Sequence, residues 1–371
     1  MIALTCLSLL FFPQAPEKAQ GQQPLAEARE PGLPQGEALR FPGERHFGKI
    51  RRLTRGGENA EGYFNWQGDQ ISYQASFGPY ACDQIFTMDL LTGARRLVST
   101  GKGRTTCAYF MPDDRSVIFA STHGADPGCL EPPDYSQGYV WKIYPEFDLY
   151  VRHLDSGNLK VLAPSPGYDA EAVVSPTGDK IVFTSTRNGD LDIYLMNVDG
   201  TGLRQLTDAI GYDGGPFFSP DGKRIVYRAF HPKTEKEKAR YLELLGKDLI
   251  EPMALQIMVM DLASGEVVQV THNEAANFAP YFHPDNERII YCSNQDSPSG
   301  RDFDLYLIGD DGSNNQRITF NPSFDGFPMF SHDGKRLIFA SNRANDQPRE
   351  TNLFLAEWVE PAEAKPASHS R

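Results

Sequence analysis

Between residues 47 and 359 the chain is built of short apolar runs punctuated by Gly, Asp, Asn and Pro. KIVFTS, DIYLMN, RIVYRA, RIIYCS, DLYLIG and RLIFAS are typical. Each is too short for a helix and rich in β-branched and aromatic side chains, so each predicts a strand. A different pattern interrupts them twice. Gly124 to Phe147 is rich in aromatic residues and Pro, and His231 to Leu255 places Ala239, Leu242, Leu245 and Leu249 at helical spacing.

The strands recur as a unit. SPTGDK begins at Ser175, SPDGKR at Ser219, HPDNER at His283 and SHDGKR at Ser331, with weaker copies NWQGDQ at Asn65 and MPDDRS at Met111. The shared turn position falls at Gly68, Asp114, Gly178, Gly222, Asn286 and Gly334, spaced by 46, 64, 44, 64 and 48 residues. The two long intervals contain the two interruptions, so the underlying period lies in the mid-forties. Within each unit a small and aromatic run, a DG-type turn, a branched strand, a loop, a third strand, a second turn and a fourth strand follow in order. Four strands in roughly 40–50 residues is the pattern of a propeller blade. The sixth unit ends at Val359 without a fourth strand, and the missing copy is at the front: Ile50 to Thr54 (IRRLT) matches Leu203 to Thr207 (LRQLT). The expected fold is therefore all-β, a six-bladed propeller of four-stranded antiparallel blades. An N-terminal strand closes the ring and leaves no open gap between the first and last blades.

These SPDGK, strand and DG-turn units resemble the TolB-type, WD40-like six-bladed propeller family over about residues 47–359. TolB carries an additional α/β domain before its propeller. Here a Pro-rich segment stands in that place, so a stand-alone propeller is expected. Similar propellers also precede serine-hydrolase domains and form some polysaccharide-degrading enzymes, so the fold does not decide the function.

The ends have their own pattern. Ile2 to Phe12 is an apolar run, far short of the ~20 residues of a membrane span and matched to the h-region of a signal peptide. Residues 1–20 are expected to be an export signal, 21–46 a disordered Pro-rich linker, 47–359 the propeller and 360–371 a disordered tail. This implies a periplasmic or extracellular protein without a transmembrane segment.

Blade topology puts the short SPDG and DGTG turns on one face. The other face carries both interruptions, and binding residues concentrate in variable loops on a rigid scaffold. There the innermost strands begin with Asn59, Thr105, Asp169, Asp213, Asn277 and Asp325, a ring expected at the channel mouth. Two residues on, Glu61, Cys107 and Glu171 are placed to point into the channel. Tyr80, Arg104, Arg187 and Arg343 lie on loops nearby, and the arginines suit ligand carboxylates. Asx side chains at turns also bond nearby backbone and fix loops, which is the competing reading of the ring. Its oxygens would suit Ca²⁺, although no contiguous calcium loop occurs.

Five cysteines are present. Cys6 would leave with a signal peptide, and Cys292 lies within a strand and reads as a buried thiol. Cys82, Cys107 and Cys129 fall on one face of neighbouring blades, so a disulfide between two of them is expected in an oxidising compartment.

The net charge of −13 and pI near 5.1 argue against nucleic acid and anionic membranes as partners. No G-x-S-x-G, P-loop or dinucleotide motif occurs. The reading that follows is an exported, non-catalytic propeller that binds a protein, peptide or envelope glycan at its loop-rich face. One alternative is a polysaccharide hydrolase or lyase using Glu61, Glu171 and Asp169. Another is a regulatory propeller subunit of a separately encoded peptidase.

Overall fold

The computed structural model describes residues 39–134, 136 and 139–361. The expected signal segment, most of the linker and most of the tail lie outside the described residues. Six four-stranded antiparallel sheets form the blades. Their innermost strands are Glu58–Phe64, Thr105–Phe110, Asp169–Val174, Tyr212–Phe218, Asn277–Phe282 and Asp325–Phe330.

The ring closes as the sequence predicts. Phe47–Arg52 pairs antiparallel with Asn352–Trp358, the third strand of blade six, with Ile50 opposite Ala356 and Arg52 opposite Phe354. A recurring clamp explains why the IRRLT match is informative. After the fourth strand, a Thr or Ser hydroxyl accepts a backbone N–H of the third strand. It also meets the polar side chain that opens that strand. Thr207 accepts from Ile193 N at 2.9 Å and donates to Asp192 at 3.1 Å. Ser99, Thr271 and Thr319 make the same pair of bonds with Gln84, Gln256 and Asp304. In blade six the clamp is Thr54, which accepts from Leu353 N at 2.8 Å and meets Asn352 at 3.2 Å across nearly 300 residues of sequence.

Packing begins earlier than the expected boundary at residue 47. Leu39, Glu44 and His46 are all buried. Arg343 holds the first two: its guanidinium, with a side chain 1% exposed, bonds Leu39 O at 3.0 Å, Glu44 at 3.0 Å and Asp325 at 2.7 Å, whereas His46 stacks on Trp358. Part of the segment read as linker is thus tied to blade six.

The helical interruption is Glu235–Leu245, opened by a capping box in which Thr234 and Glu237 satisfy each other's backbone N–H groups. Its buried residues are Tyr241 and Leu244, whereas Leu242 is 46% exposed. The inward face is therefore rotated from the Ala239, Leu242, Leu245 stripe, because Tyr241 hydrogen-bonds Asp190 and Gly211 O beneath the helix.

Candidate functional site

The two interruptions meet over the channel. Trp141–Lys142 of the first pairs antiparallel with Leu249–Ile250 of the second, and Val140, Leu244 and Leu249 form a small core under the pair. This strap spans from blade two to blade four. A disulfide between Cys82 and Cys129 ties the first interruption to blade one, while Cys107 and Cys292 are free.

Beneath the strap, every innermost strand carries a bulge at the same place. The residues there are Glu61, Cys107, Glu171, Gly215, Ala279 and Phe327, all with φ between 48° and 59°. A left-handed backbone costs a non-Gly residue on the order of 1–3 kcal/mol, so it persists only where the surroundings impose it. Here the bulge turns each side chain into the channel. One half of the ring is polar (Glu61, Cys107, Glu171) and the other small or apolar (Gly215, Ala279, Phe327). All six line one small cavity of about 30 Å³.

Arg228 completes this site. It pairs with Glu171, whose other oxygen accepts from Thr184 at 2.7 Å and from Gly215 N at 2.8 Å. Gly215 is required there, because a Cβ would lie 2.0 Å from an Arg228 nitrogen. The rings of Trp141 and Tyr212 each lie 5.4 Å from the guanidinium carbon, a cation–π arrangement. Glu61 hydrogen-bonds the Cys107 thiol, but its Oε2 is buried with no donor. Burial raises the Glu61 carboxyl from 4.5 to about 7, with the Glu171 charge adding; the Cys107 bond and Arg228 oppose the rise. Burial also pushes the Cys107 thiol well up, so it is not an activated nucleophile.

Two residues deeper, Tyr63, Tyr109, Phe217 and Tyr281 pack ring against ring at 5.3–6.4 Å and plug the channel. Phe217 and Val173 wall both the small cavity and one of about 260 Å³ on the turn face.

A larger cleft of about 1000 Å³ opens beside the strap, between it and the loops of blades five and six. Tyr139, Trp141 and Met253 of the strap region face Phe278, Phe303 and Phe324. Asn273, Asn294, Gln295 and Arg301 supply polar groups. Tyr139 and Met253 are 65% and 62% exposed, high values for apolar side chains. Trp141 belongs to both sites: it lines the cleft and reaches Arg228.

The expected ring of mouth residues is placed differently. Asp169, Asp213, Asn277 and Asp325 are fully buried, and Asn59 and Thr105 nearly so. Asp169 binds Arg187 at 2.9 Å, Asp325 binds Arg343, and Asp213 meets His231 at 3.0 Å. Asn59 donates to Gly56 O and Thr351 O, Asn277 to Leu255 O, and Thr105 to Asp83 O. These side chains hold the loops, which is why a polar residue stands at this position in every blade. Arg187 and Arg343 are used by those contacts rather than presented to a ligand. Arg104 donates to Leu130 O at 2.7 Å and lies 5.2 Å over Tyr144, fixing the base of the first interruption. Tyr80 is half-buried against Phe86. None of these residues lines the cleft or the small cavity. Among the described residues no group of three or more His, Cys, Asp or Glu is arranged to hold a metal ion.

Arg228 was not among the candidates, though the repeat contains its signal. The register aligns Arg228 with Gln74, Ala120, Thr184, Cys292 and Ala340. A lone cation at an inward position of a second strand marks a charge partner in the channel.

A six-bladed propeller with a plugged channel and a cleft beside a strap on its loop-rich face is the class these features define. The TolB beta propeller domain matches residues 138–231 and 250–348, more than half of the chain, and the chain belongs to that family. Among solved structures it is similar to TolB from Acinetobacter baumannii, at 18% identity and a TM-score of 0.55, over 77% of this chain. The match spans 63% of that TolB's length. A putative TolB from Agrobacterium tumefaciens matches at 21% identity and 0.50, over 71% of this chain and 80% of the other. A gluconolactonase from Xanthomonas campestris matches at 10% identity and 0.56, over 87% and 93%. At these identities the likeness is one of fold. Among the described residues no helix is long and apolar enough to cross a membrane.

Proposed function

We propose that this chain is an exported, non-catalytic propeller that takes a peptide segment of a protein partner in the cleft beside the strap. The observation that carries the reading is the contrast between the two loop-face sites. The cleft has about 1000 Å³, exposed aromatic walls and amide groups, the composition of a recognition pocket. The carboxylates that could do chemistry stand in a cavity of about 30 Å³, too small for a sugar ring. The Cys82–Cys129 disulfide supports an oxidising compartment. The test is selection of peptides from a displayed library on the purified protein, followed by titration on Trp141→Ala and Phe278→Ala variants. Loss of binding by at least tenfold is expected. Peptides that bind both variants as tightly as wild type would remove the reading.

A second reading keeps one observation: Glu61, raised to about 7, stands near the Arg228-paired Glu171. Two carboxyls in contrasting environments are the pattern of an acid and a base. Turnover of a polysaccharide or lactone that Glu61→Gln abolishes would favour it over binding.

A further inference from the structure

The small cavity behind Trp141 holds two orphaned polar atoms. Glu61 Oε2 is a buried acceptor with no donor, and Arg228 Nε a buried donor with no acceptor. Both residues line the same space. A buried polar group left unpaired costs about 1–3 kcal/mol, so two on residues lining one cavity ask for a group that satisfies both. The cavity's roughly 30 Å³ is room for about two or three heavy atoms, at 10–15 Å³ each.

Charge narrows the chemistry. Glu171 and Arg228 already compensate each other. An added cation would sit against the Arg228 guanidinium, and an added anion against the carboxyls of Glu61 and Glu171. The group that fits is neutral, presents one N–H or O–H and one acceptor, and has about three heavy atoms. On the opposite wall, Ala279 and Phe327 offer only apolar surface, suited to an alkyl stem. Phe278 lines the cleft and Phe327 the channel cavity, with their ring centres 5.6 Å apart.

We infer that this cavity is a binding subsite for a primary carboxamide, its N–H donating to Glu61 Oε2 and its C=O accepting from Arg228 Nε. In a peptide the group is the side-chain tip of Asn or Gln, reaching past Trp141 from a backbone held in the cleft. This use of the subsite rests on the peptide-binding reading, but the carboxamide specificity does not.

Three probes of similar size test it: propionamide, n-propylammonium and propionate, followed by ligand-observed NMR on the intact chain. Propionamide should bind saturably, and the two ions at least tenfold more weakly. Ala279→Leu fills the cavity without touching either polar atom and should abolish propionamide binding, with its fold checked by circular dichroism. Glu61→Leu should weaken binding at least tenfold. Equal binding of the three probes, no binding of propionamide, or undiminished binding by correctly folded Ala279→Leu would each overturn the subsite. Peptide selection separates the two claims. Cleft ligands showing no preference for Asn or Gln, with propionamide inert, would remove only the subsite. Propionamide binding without any cleft ligand would remove only the peptide reading.

Discussion

Replacing Arg343 with Met should unlock the N-terminal segment and unbalance blade six. In the native protein this guanidinium is held by Leu39 O, Glu44, Asp325 and Ser341 Oγ, with both carboxylate side chains 0% exposed. Phe41, Phe339 and Phe354 lie within 4.9–5.9 Å of its carbon. Met preserves much of that apolar contact and removes the charge, leaving two buried acids facing each other. Removing one partner of a buried ion pair costs about 3–5 kcal/mol. The sign of the pH dependence follows from Glu44. Burial already raises its carboxyl above 4.5, against the lowering effect of Arg343. Without Arg343 the carboxyl rises further, so above 4.5 the folded variant binds more protons than the unfolded chain. Its stability must therefore fall as pH rises through that window. Urea unfolding followed by tryptophan fluorescence should show a loss of about 3–5 kcal/mol near pH 8 and a smaller loss near pH 5. Limited proteolysis should release the residues before Phe47. A loss below about 1 kcal/mol near pH 8, or the same loss at both pH values, would refute the network's role.

Three further outcomes are expected. Glu61→Gln removes a carboxyl raised from 4.5 to about 7. At 1.36 kcal/mol per unit it should stabilise the protein by up to roughly 3 kcal/mol near pH 8 and by little below about pH 4.5, measured as the difference in urea midpoints at the two pH values. Cys129→Ser opens a crosslink spanning 47 positions. It should cost about 4 kcal/mol on loop-closure arguments and increase hydrogen exchange at Trp141 and Lys142, where an unchanged exchange pattern would contradict the tether. Ile50→Ala, at a site 1% exposed in the closing strand, should cost about 2–5 kcal/mol, visible as a lower thermal midpoint.

The fold was legible because propeller blades repeat. Six copies of one turn-and-strand pattern average out local ambiguity, and a single absent fourth strand pointed to the N terminus, where Phe47–Arg52 indeed completes blade six. The helix was placed correctly but its inward face was not, because the position of Tyr241 is decided by Asp190 and Gly211 from blades three and four. The site divided in the same way. Glu61, Cys107 and Glu171 were placed in the channel from their register. Asp169, Asp213 and Asp325 looked like ligand groups because they recur, yet recurrence in every blade marks what each blade needs to hold its loops. Asymmetry was the better guide: Arg228 has no counterpart in the other second strands. The strap was not legible, since nothing local in Trp141–Lys142 or Leu249–Ile250 says that the two interruptions pair with each other.

Recognition at the loop-rich face is tested most directly by hydrogen–deuterium exchange on the protein saturated with a selected peptide. Protection is predicted at residues 139–142, 252–253, 273–276 and 294–301, which surround the cleft. Protection confined to the turns at Pro176, Pro220 and Pro284 on the opposite face would contradict it.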